Sequence, residues 1–158
     1  VKKIESDHPG AKVYVEKCQS CHNANGAGVP SMYPPLKGSD WLSKSDDVLI
    51  RIVLHGLTGP VEVLGTKYNQ EMESWKELSD IEIADVLSFV RVYFGELDKP
   101  ITADQVKAIR DQYPEQGKWT AATLKPFDVA EEATDPKAKE KQNDTKDPKS
   151  KGKEANKP

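Results

Sequence analysis

The chain has 158 residues, with 23 lysines and arginines against 26 aspartates and glutamates and a formal net charge of −3. The length predicts one domain of roughly 100 residues with additional segments. The mildly acidic balance argues against a nucleic-acid-binding protein, and no apolar run reaches the roughly 18 residues of a membrane-spanning helix. The two cysteines are too few for a disulfide framework.

The first half of the chain is predicted to form two helices joined by a long loop. Pro9 suits a first helical turn, because that turn does not use the N–H that proline lacks, and the helix should reach about Lys17. A loop rich in glycine and proline follows over 23–40. Ser45 is expected to cap a second helix, which ends near Gly56.

A third helix follows a further loop over 59–73 and has the clearest start in the chain. Ser79 and Glu82 form a capping box, in which each side chain binds the backbone N–H of the other residue. An apolar stripe continues until Gly95. Its members are Ile83, Val86, Leu87, Val90 and Phe94.

A C-terminal extension over 98–130 is predicted to be helical as well. Thr102 and Gln105 form a second capping box, which predicts a helix over about 103–113, ended by Pro114. No segment shows a sustained two-residue alternation of apolar and polar side chains. The predicted fold class is therefore all-α.

Residues 131–158 form a charged tail of low complexity, with 8 lysines against 7 acidic residues. They include no valine, leucine, isoleucine, methionine or aromatic side chain. Such a segment cannot bury enough apolar surface to offset its chain entropy. We expect it to be disordered alone, either as a solvated spacer or as a tail that docks on a partner.

Cys18, Cys21 and His22 have the C-x-x-C-H spacing that attaches c-type haem. On a helical turn both thiols face one side, where each can add to one vinyl group of a single porphyrin. The adjacent histidine can then bind the iron as the proximal ligand. Two other interpretations stay open: a zinc site completed by His8 or His55, and a redox dithiol, although no βαβ unit surrounds the cysteines.

The iron of such a haem needs a sixth ligand or an open face, and the chain has 2 methionines, Met32 and Met72. A methionine sulfur opposite a histidine raises the reduction potential and suits electron transfer. Met32 follows His22 by only 10 residues, which makes the opposite face awkward to reach, whereas Met72 has 50 residues in which to cross. Met72 is therefore the predicted ligand, with Met32 and His55 as alternatives.

The segment over 10–95 resembles class I c-type cytochromes, most of all the bacterial monohaem group. The resemblance is carried by C-x-x-C-H at 18–22, by P-P-L-K-G at 34–38, by Met72 and by the capped helix L-S-D-I-E-I-A-D-V-L-S-F-V-R. It implies the class I cytochrome c fold around one covalently bound haem c. It also implies that Pro34 offers its carbonyl to the proximal histidine.

The resemblance further implies that the first and last helices cross at Gly10, with Tyr93 or Phe94 filling the gap. Glu73 stands where the family often has a proline after the ligand methionine, and its carboxylate would modestly favour oxidised iron. Four side chains that can donate hydrogen bonds are candidates to bind the haem propionates. These are Trp41, Arg51, Tyr68 and Asn69.

These features predict a one-electron carrier, because a six-coordinate haem has no open position for a substrate. No Ser-His-Asp arrangement, phosphate loop or paired-carboxylate site stands out, so we do not expect a stand-alone enzyme. The alternative is a haem sensor or peroxidase-like protein with a labile sixth ligand. A subunit role is a further alternative, since the part over 98–158 loosely resembles segments of monohaem subunits such as that of alternative complex III.

We expect redox proteins as partners, namely a respiratory complex, an oxidase or a periplasmic dehydrogenase, which meet the haem edge through a small surface. Haem attachment takes place outside the cytoplasm, and the chain starts at Val1 rather than at methionine. We therefore expect a periplasmic location or the periplasmic face of the inner membrane. The predicted domains are a monohaem cytochrome c domain over 1–97, the extension over 98–130 and the tail over 131–158.

Overall fold

A computed structural model describes residues 6–129, and helices make up most of their regular structure. Helix α1 spans Pro9–Val13, a π-helical turn spans Tyr14–Cys18, and α2 spans Gln19–His22. These three pieces follow one another without a break and carry the chain through the C-x-x-C-H segment. The predicted N-terminal helix is confirmed, and it continues past its expected end.

Three longer helices complete the framework. Helix α3 spans Asp46–His55, α4 spans Asp80–Gly95 and α5 spans Ala103–Gln112. The serine cap of α3 and the two capping boxes of α4 and α5 are present as predicted. The residue in the left-handed conformation that ends α4 is Glu96, with φ of 52°, rather than the expected Gly95.

Shorter elements lie between and after these helices. A 3₁₀ turn spans Asp40–Ser43, helix α6 spans Ala121–Leu124, and a last 3₁₀ turn spans Lys125–Phe127. The strands β1, Val61–Val63, and β2, Thr66–Tyr68, form an antiparallel hairpin.

The hairpin is the element that the all-α expectation missed. Leu64 and Gly65 join the strands with φ of 50° and 78°, the pair of left-handed residues that matches the twist of a tight hairpin. Strands of 3 residues are too short to show alternation in the sequence. The remainder of the described regular structure is helical, as expected.

Helices α1 and α4 cross in direct backbone contact at Gly10. A β-carbon added there would lie 2.0 Å from the carbonyl oxygen of Asp85 and 2.7 Å from the β-carbon of Phe89. The predicted crossing at Gly10 is confirmed, but Phe89 lies against it instead of Tyr93 or Phe94. The ring of Phe94 packs against Gly26 instead, where a β-carbon added to the glycine would lie 2.5 Å from the ring.

A buried ion pair joins α3 to α4, and a hydrogen bond from α5 ties the extension to that pair. The guanidinium of Arg91 in α4 donates to the carboxylate of Asp46 in α3 and, at 2.9 Å, to the carbonyl of Lys44. The same carboxylate accepts a hydrogen bond of 2.9 Å from Gln105 in α5. A buried charge pair is tolerated when its other donors and acceptors are satisfied, as they are here.

The expected disorder of the tail over 131–158 lies outside the described residues. Within residues 6–129, none of the helices has both the length and the apolar character needed to cross a membrane.

Candidate functional site

An apolar cavity of about 120 Å³ lies between the N-terminal helical segment, α3 and α4. Cys18, His22 and Met72 all line it, together with Pro34 and Trp41. Its aliphatic walls include Leu49, Ile52, Val53, Val86, Leu87 and Val90.

A more polar cleft adjoins the cavity and shares Cys18, His22 and Met72 with it. Cys21 and Tyr68 also line this cleft, and its rim includes exposed side chains. Those exposed members are Ser20, Gln70, Glu71 and Glu73. The three residues of the C-x-x-C-H motif therefore meet Met72 where an apolar interior changes to a polar surface.

The ring of His22 is oriented by the carbonyl of Pro34, as the sequence predicted. Its Nδ1 lies 2.9 Å from that oxygen, which can only accept a hydrogen bond, so Nδ1 carries the proton. Burial lowers the pKa of His22, and the bond to Pro34 opposes that effect. The ring is therefore neutral with an unprotonated Nε2, the form that binds metal.

The loop that delivers Pro34 depends on a close backbone approach at Gly28. Gly28 has φ of 65°, and an added β-carbon would lie 2.3 Å from the carbonyl oxygen of Tyr33 and 2.7 Å from that of Pro34. Its N–H donates to the carbonyl of His22 at 3.0 Å. The glycine thus folds the loop back onto the residue that Pro34 orients.

Neither cysteine of the described residues forms a disulfide, and both side chains are half-buried. Burial raises the pKa of the Cys18 thiol to about 12, and the neighbouring Cys21 adds to the rise. Conversion to a thioether removes this titration altogether, so the buried sulfur then carries no charge at any pH.

Among residues 6–129, neither of the histidines expected to complete a zinc site lines the cavity or the cleft that contains the cysteines. His8 caps α1 through a bond of 3.1 Å from the N–H of Gly10, and Nδ1 of His55 accepts from Trp119. Within residues 6–129, no group of three or more His, Cys, Asp and Glu side chains is arranged to hold a metal ion. The helical surroundings of the cysteines also differ from the βαβ unit of a redox dithiol.

Met72 is held against the end of α3 by backbone pairing. Its N–H donates to the carbonyl of Leu57 at 2.8 Å, and its carbonyl accepts from the N–H of Leu57 at 3.1 Å. Further along, Ser74 and Trp75 donate to carbonyls of α3 at 2.6 and 2.9 Å. Met32, in contrast, is 44% exposed and lines neither the cavity nor the cleft.

The C-terminal extension covers this loop from outside, which the sequence did not reveal. The N–H of Trp119 donates to the carbonyl of Gly56 at 3.0 Å, and the N–H of Thr58 donates to the carbonyl of Trp119 at 2.8 Å. Lys118 forms ion pairs with Glu71 at 2.8 Å and Glu73 at 3.8 Å. Pairing between distant segments leaves no local sequence pattern that could have predicted it.

The four propionate candidates fall into two groups. Trp41 lines the cavity and Tyr68 lines the cleft, while the indole of Trp41 donates to the carbonyl of Glu62 at 2.7 Å. Arg51 and Asn69 line neither. Asn69 is exposed.

Arg51 has different surroundings from those expected. Its guanidinium carbon lies 3.7 Å from the ring centre of Phe127, 4.7 Å from Tyr113 and 5.4 Å from Trp119. The side chain therefore leaves α3 on the face covered by the extension. It was assigned to the propionates because the extension's path across α3 is not visible in the sequence.

The donor chemistry of the cavity fits a covalently attached haem. One thiol lines the cavity and the other lines the adjoining cleft, both beside a neutral imidazole with a free Nε2, and the walls of the cavity are apolar. A thioether sulfur from Met72 borders the same space. This combination matches the ligand types that hold c-type haem.

Comparisons with known proteins agree with this chemistry. A sequence model of the family described as cytochrome c matches residues 8–92. The chain is 42% identical over 110 residues to cytochrome c-552 of Thermus thermophilus, a match that spans 64% of this chain and 83% of the relative.

Two further relatives are subunits of larger enzymes. The chain is 33% identical over 105 residues to the cytochrome c subunit of the quinone-type alcohol dehydrogenase of Gluconacetobacter polyoxogenes. It is 32% identical over 130 residues to the cytochrome c subunit of gluconate 2-dehydrogenase of Pantoea cypripedii. These matches span 65% and 78% of this chain but only 22% and 29% of the two subunits.

Proposed function

The chain belongs to the cytochrome c family and binds haem c covalently, and from this we propose that it carries single electrons and that His22 and Met72 would hold the haem iron. When bound, the haem supplies one-electron chemistry through its iron. The observation that supports this proposal most directly is that His22 and Met72 line one apolar cavity.

We propose that Cys18 and Cys21 form the two thioethers. Pro34 fixes the tautomer and the direction of the His22 ring through the bond of 2.9 Å to Nδ1. The apolar walls would keep water away from Nε2 of His22. Such surroundings favour uncharged ligands, namely a neutral imidazole and a thioether.

The choice of Met72 over Met32 and His55 is supported by placement. Met32 is exposed and outside the cavity. His55 is buried and bonded to Trp119 through Nδ1, and it does not line the cavity. Met72 alone among these three borders both His22 and the apolar walls.

We propose Tyr68 as the residue that donates a hydrogen bond to a propionate, since its hydroxyl-bearing ring lines the cleft. Trp41 lines the cavity, but its indole N–H is donated to the carbonyl of Glu62, so we propose for it a packing contact with the haem. Residues 1–97 would form the haem domain. The extension over 98–130 would cover the ligand loop as part of the same folded body. The tail over 131–158 stays either a solvated spacer or a segment that docks on a partner.

We propose redox proteins as partners and a carrier role without a reaction of its own on a substrate. The matches to dehydrogenase cytochrome subunits support a donor of that class, and a respiratory complex or oxidase would take the electron. Covalent haem attachment supports a periplasmic location or the periplasmic face of the inner membrane.

Absorption spectra of the haem-loaded protein test the ligation. The oxidised protein should show the weak long-wavelength band of a sulfur–iron bond, and the reduced protein should not shift with carbon monoxide. Met72→Ala should lose the band and gain the carbon monoxide shift, whereas the matched control Met32→Ala should keep the wild-type spectra.

A band that survives in Met72→Ala, or one that disappears in Met32→Ala, would contradict the proposed ligand. A carbon monoxide shift in the wild-type protein would favour the sensor or peroxidase-like alternative, because it reveals an open or labile position.

A further inference from the structure

Backbone pairing links Trp119 to Leu57, and Leu57 to Met72. Leu57 pairs with Met72 on one side through bonds of 2.8 and 3.1 Å. On its other side Leu57 pairs in parallel with Trp119, whose N–H and carbonyl bond to Gly56 and Thr58. The extension therefore reaches the predicted sixth ligand through one intervening residue.

Side chains reinforce this arrangement on both flanks of Met72. Lys118 contacts the carboxylates of Glu71 and Glu73, the two residues adjacent to Met72 in sequence. The hydroxyl of Thr58 donates to the other oxygen of the Glu71 carboxylate at 3.0 Å. The carboxylate before the methionine is thus held by two donors.

The indole of Trp119 provides an anchor for these contacts. It is 6% exposed and donates to Nδ1 of His55 at 3.0 Å. It packs in an apolar cluster with Leu124, and Leu57 and Met72 border that cluster. Movement of this part of the extension away from the loop would expose the indole and break its hydrogen bond.

We infer, on the basis of the proposed His22/Met72 ligation, that Lys118 and Trp119 are positioning residues for the sixth ligand. They hold the Met72 loop, residues 70–75, against the end of α3. A thioether is a weak ligand, so an added ligand replaces it whenever the loop opens. Contacts present only in the closed loop lower the open population and with it the apparent affinity for the competitor.

Imidazole titration of the oxidised, haem-loaded full chain tests this role, with loss of the sulfur–iron band as the readout. Lys118→Gln removes both ion pairs at the surface and should tighten apparent imidazole binding about threefold. Trp119→Phe keeps a ring but removes the bond to His55, and it should tighten binding about fivefold. Lys125→Gln changes the same charge elsewhere on the extension and should bind imidazole as the wild type does.

Ser88→Ala separates positioning from general stability. Ser88 is buried in α4 and bonds to Ile101 at 2.9 Å, away from the Met72 loop, so its loss should lower Tm without changing imidazole affinity. If Ser88→Ala tightens imidazole binding as much as Lys118→Gln does, the change in affinity follows from lower overall stability. That result would overturn the inference.

Failure of the ligation and failure of the positioning role give different results. If the band survives in Met72→Ala, the proposed ligation is wrong and the positioning role falls with it. If Met72→Ala loses the band while Lys118→Gln and Trp119→Phe bind imidazole as the wild type does, only the positioning role is wrong.

Discussion

The indole Nε1 of Trp119 donates a hydrogen bond of 3.0 Å to Nδ1 of His55, a residue 64 positions earlier in the chain. Both side chains are buried. Since the indole can only donate, Nδ1 of His55 must be unprotonated, and a neutral ring carries its proton on Nε2. The bond joins the last residue of α3 to the C-terminal extension, and it requires the uncharged form of the histidine.

Stability should therefore depend on pH through His55. Burial lowers the pKa of His55 from 6.5, a bond to the backbone of Tyr113 opposes this, and the positive charges of Arg51, Arg110 and Lys76 lower it further. Below about pH 6.5 the unfolded chain binds a proton that the folded chain resists. Stability is thus full above that pH and falls as the pH drops toward the folded-state pKa.

Thermal unfolding at neutral pH and near pH 5 measures the effect, with His55→Asn as the matched variant. Its amide oxygen can accept from the indole in place of Nδ1, and it does not titrate. We expect a smaller loss of Tm on acidification in the variant than in the wild type. An equal loss in both would show that another group causes it.

Arg51 should matter for packing and not for the haem. Its Nε and Nη1 are buried without a hydrogen-bond partner among the described residues, at a cost of about 1–3 kcal/mol each. Attraction to the surrounding rings, worth about 2 kcal/mol for a desolvated cation, offsets part of that cost. We expect Arg51→Met to change the free energy of unfolding by less than about 1 kcal/mol.

Arg51→Ala leaves a cavity beneath Phe127 and should lose about 3 kcal/mol in denaturant unfolding. Because Arg51 does not line the cavity, Arg51→Lys, which keeps the charge, should leave the midpoint potential nearly unchanged, whereas Tyr68→Phe should shift it. Equal shifts in the two variants would indicate that the guanidinium reaches a propionate.

The crossing of α1 and α4 should tolerate no side chain at Gly10. A β-carbon there would meet the carbonyl of Asp85 at 2.0 Å, so the helices must separate, and Gly10→Ala should lose about 3 kcal/mol. The control is Gly117→Ala, where an added β-carbon has no neighbour within 4 Å. Denaturant unfolding of both haem-loaded variants checks this, and similar losses in the two would disprove the steric explanation.

Local signals in the sequence were sufficient for the helices and the haem motif. Capping boxes at Ser79 and Thr102 bind within one turn, so their effect is visible without knowledge of the fold. The surroundings of Arg51 and the covering of Met72 depend on where residues 118–127 pass over α3. That path is fixed by tertiary contacts, which no spacing within either segment records.

The 3 tryptophans of the chain all lie close to the proposed haem site. Trp41 and Trp75 line the cavity and the cleft, and Trp119 packs in the cluster that Met72 borders. Haem absorbs light at the wavelengths at which indole emits, so the folded protein should be almost dark in tryptophan fluorescence. Detachment of the extension would make Trp119 emit while the other two stay quenched. Tryptophan fluorescence should therefore distinguish detachment of the extension from the Met72 loop from complete unfolding of the chain.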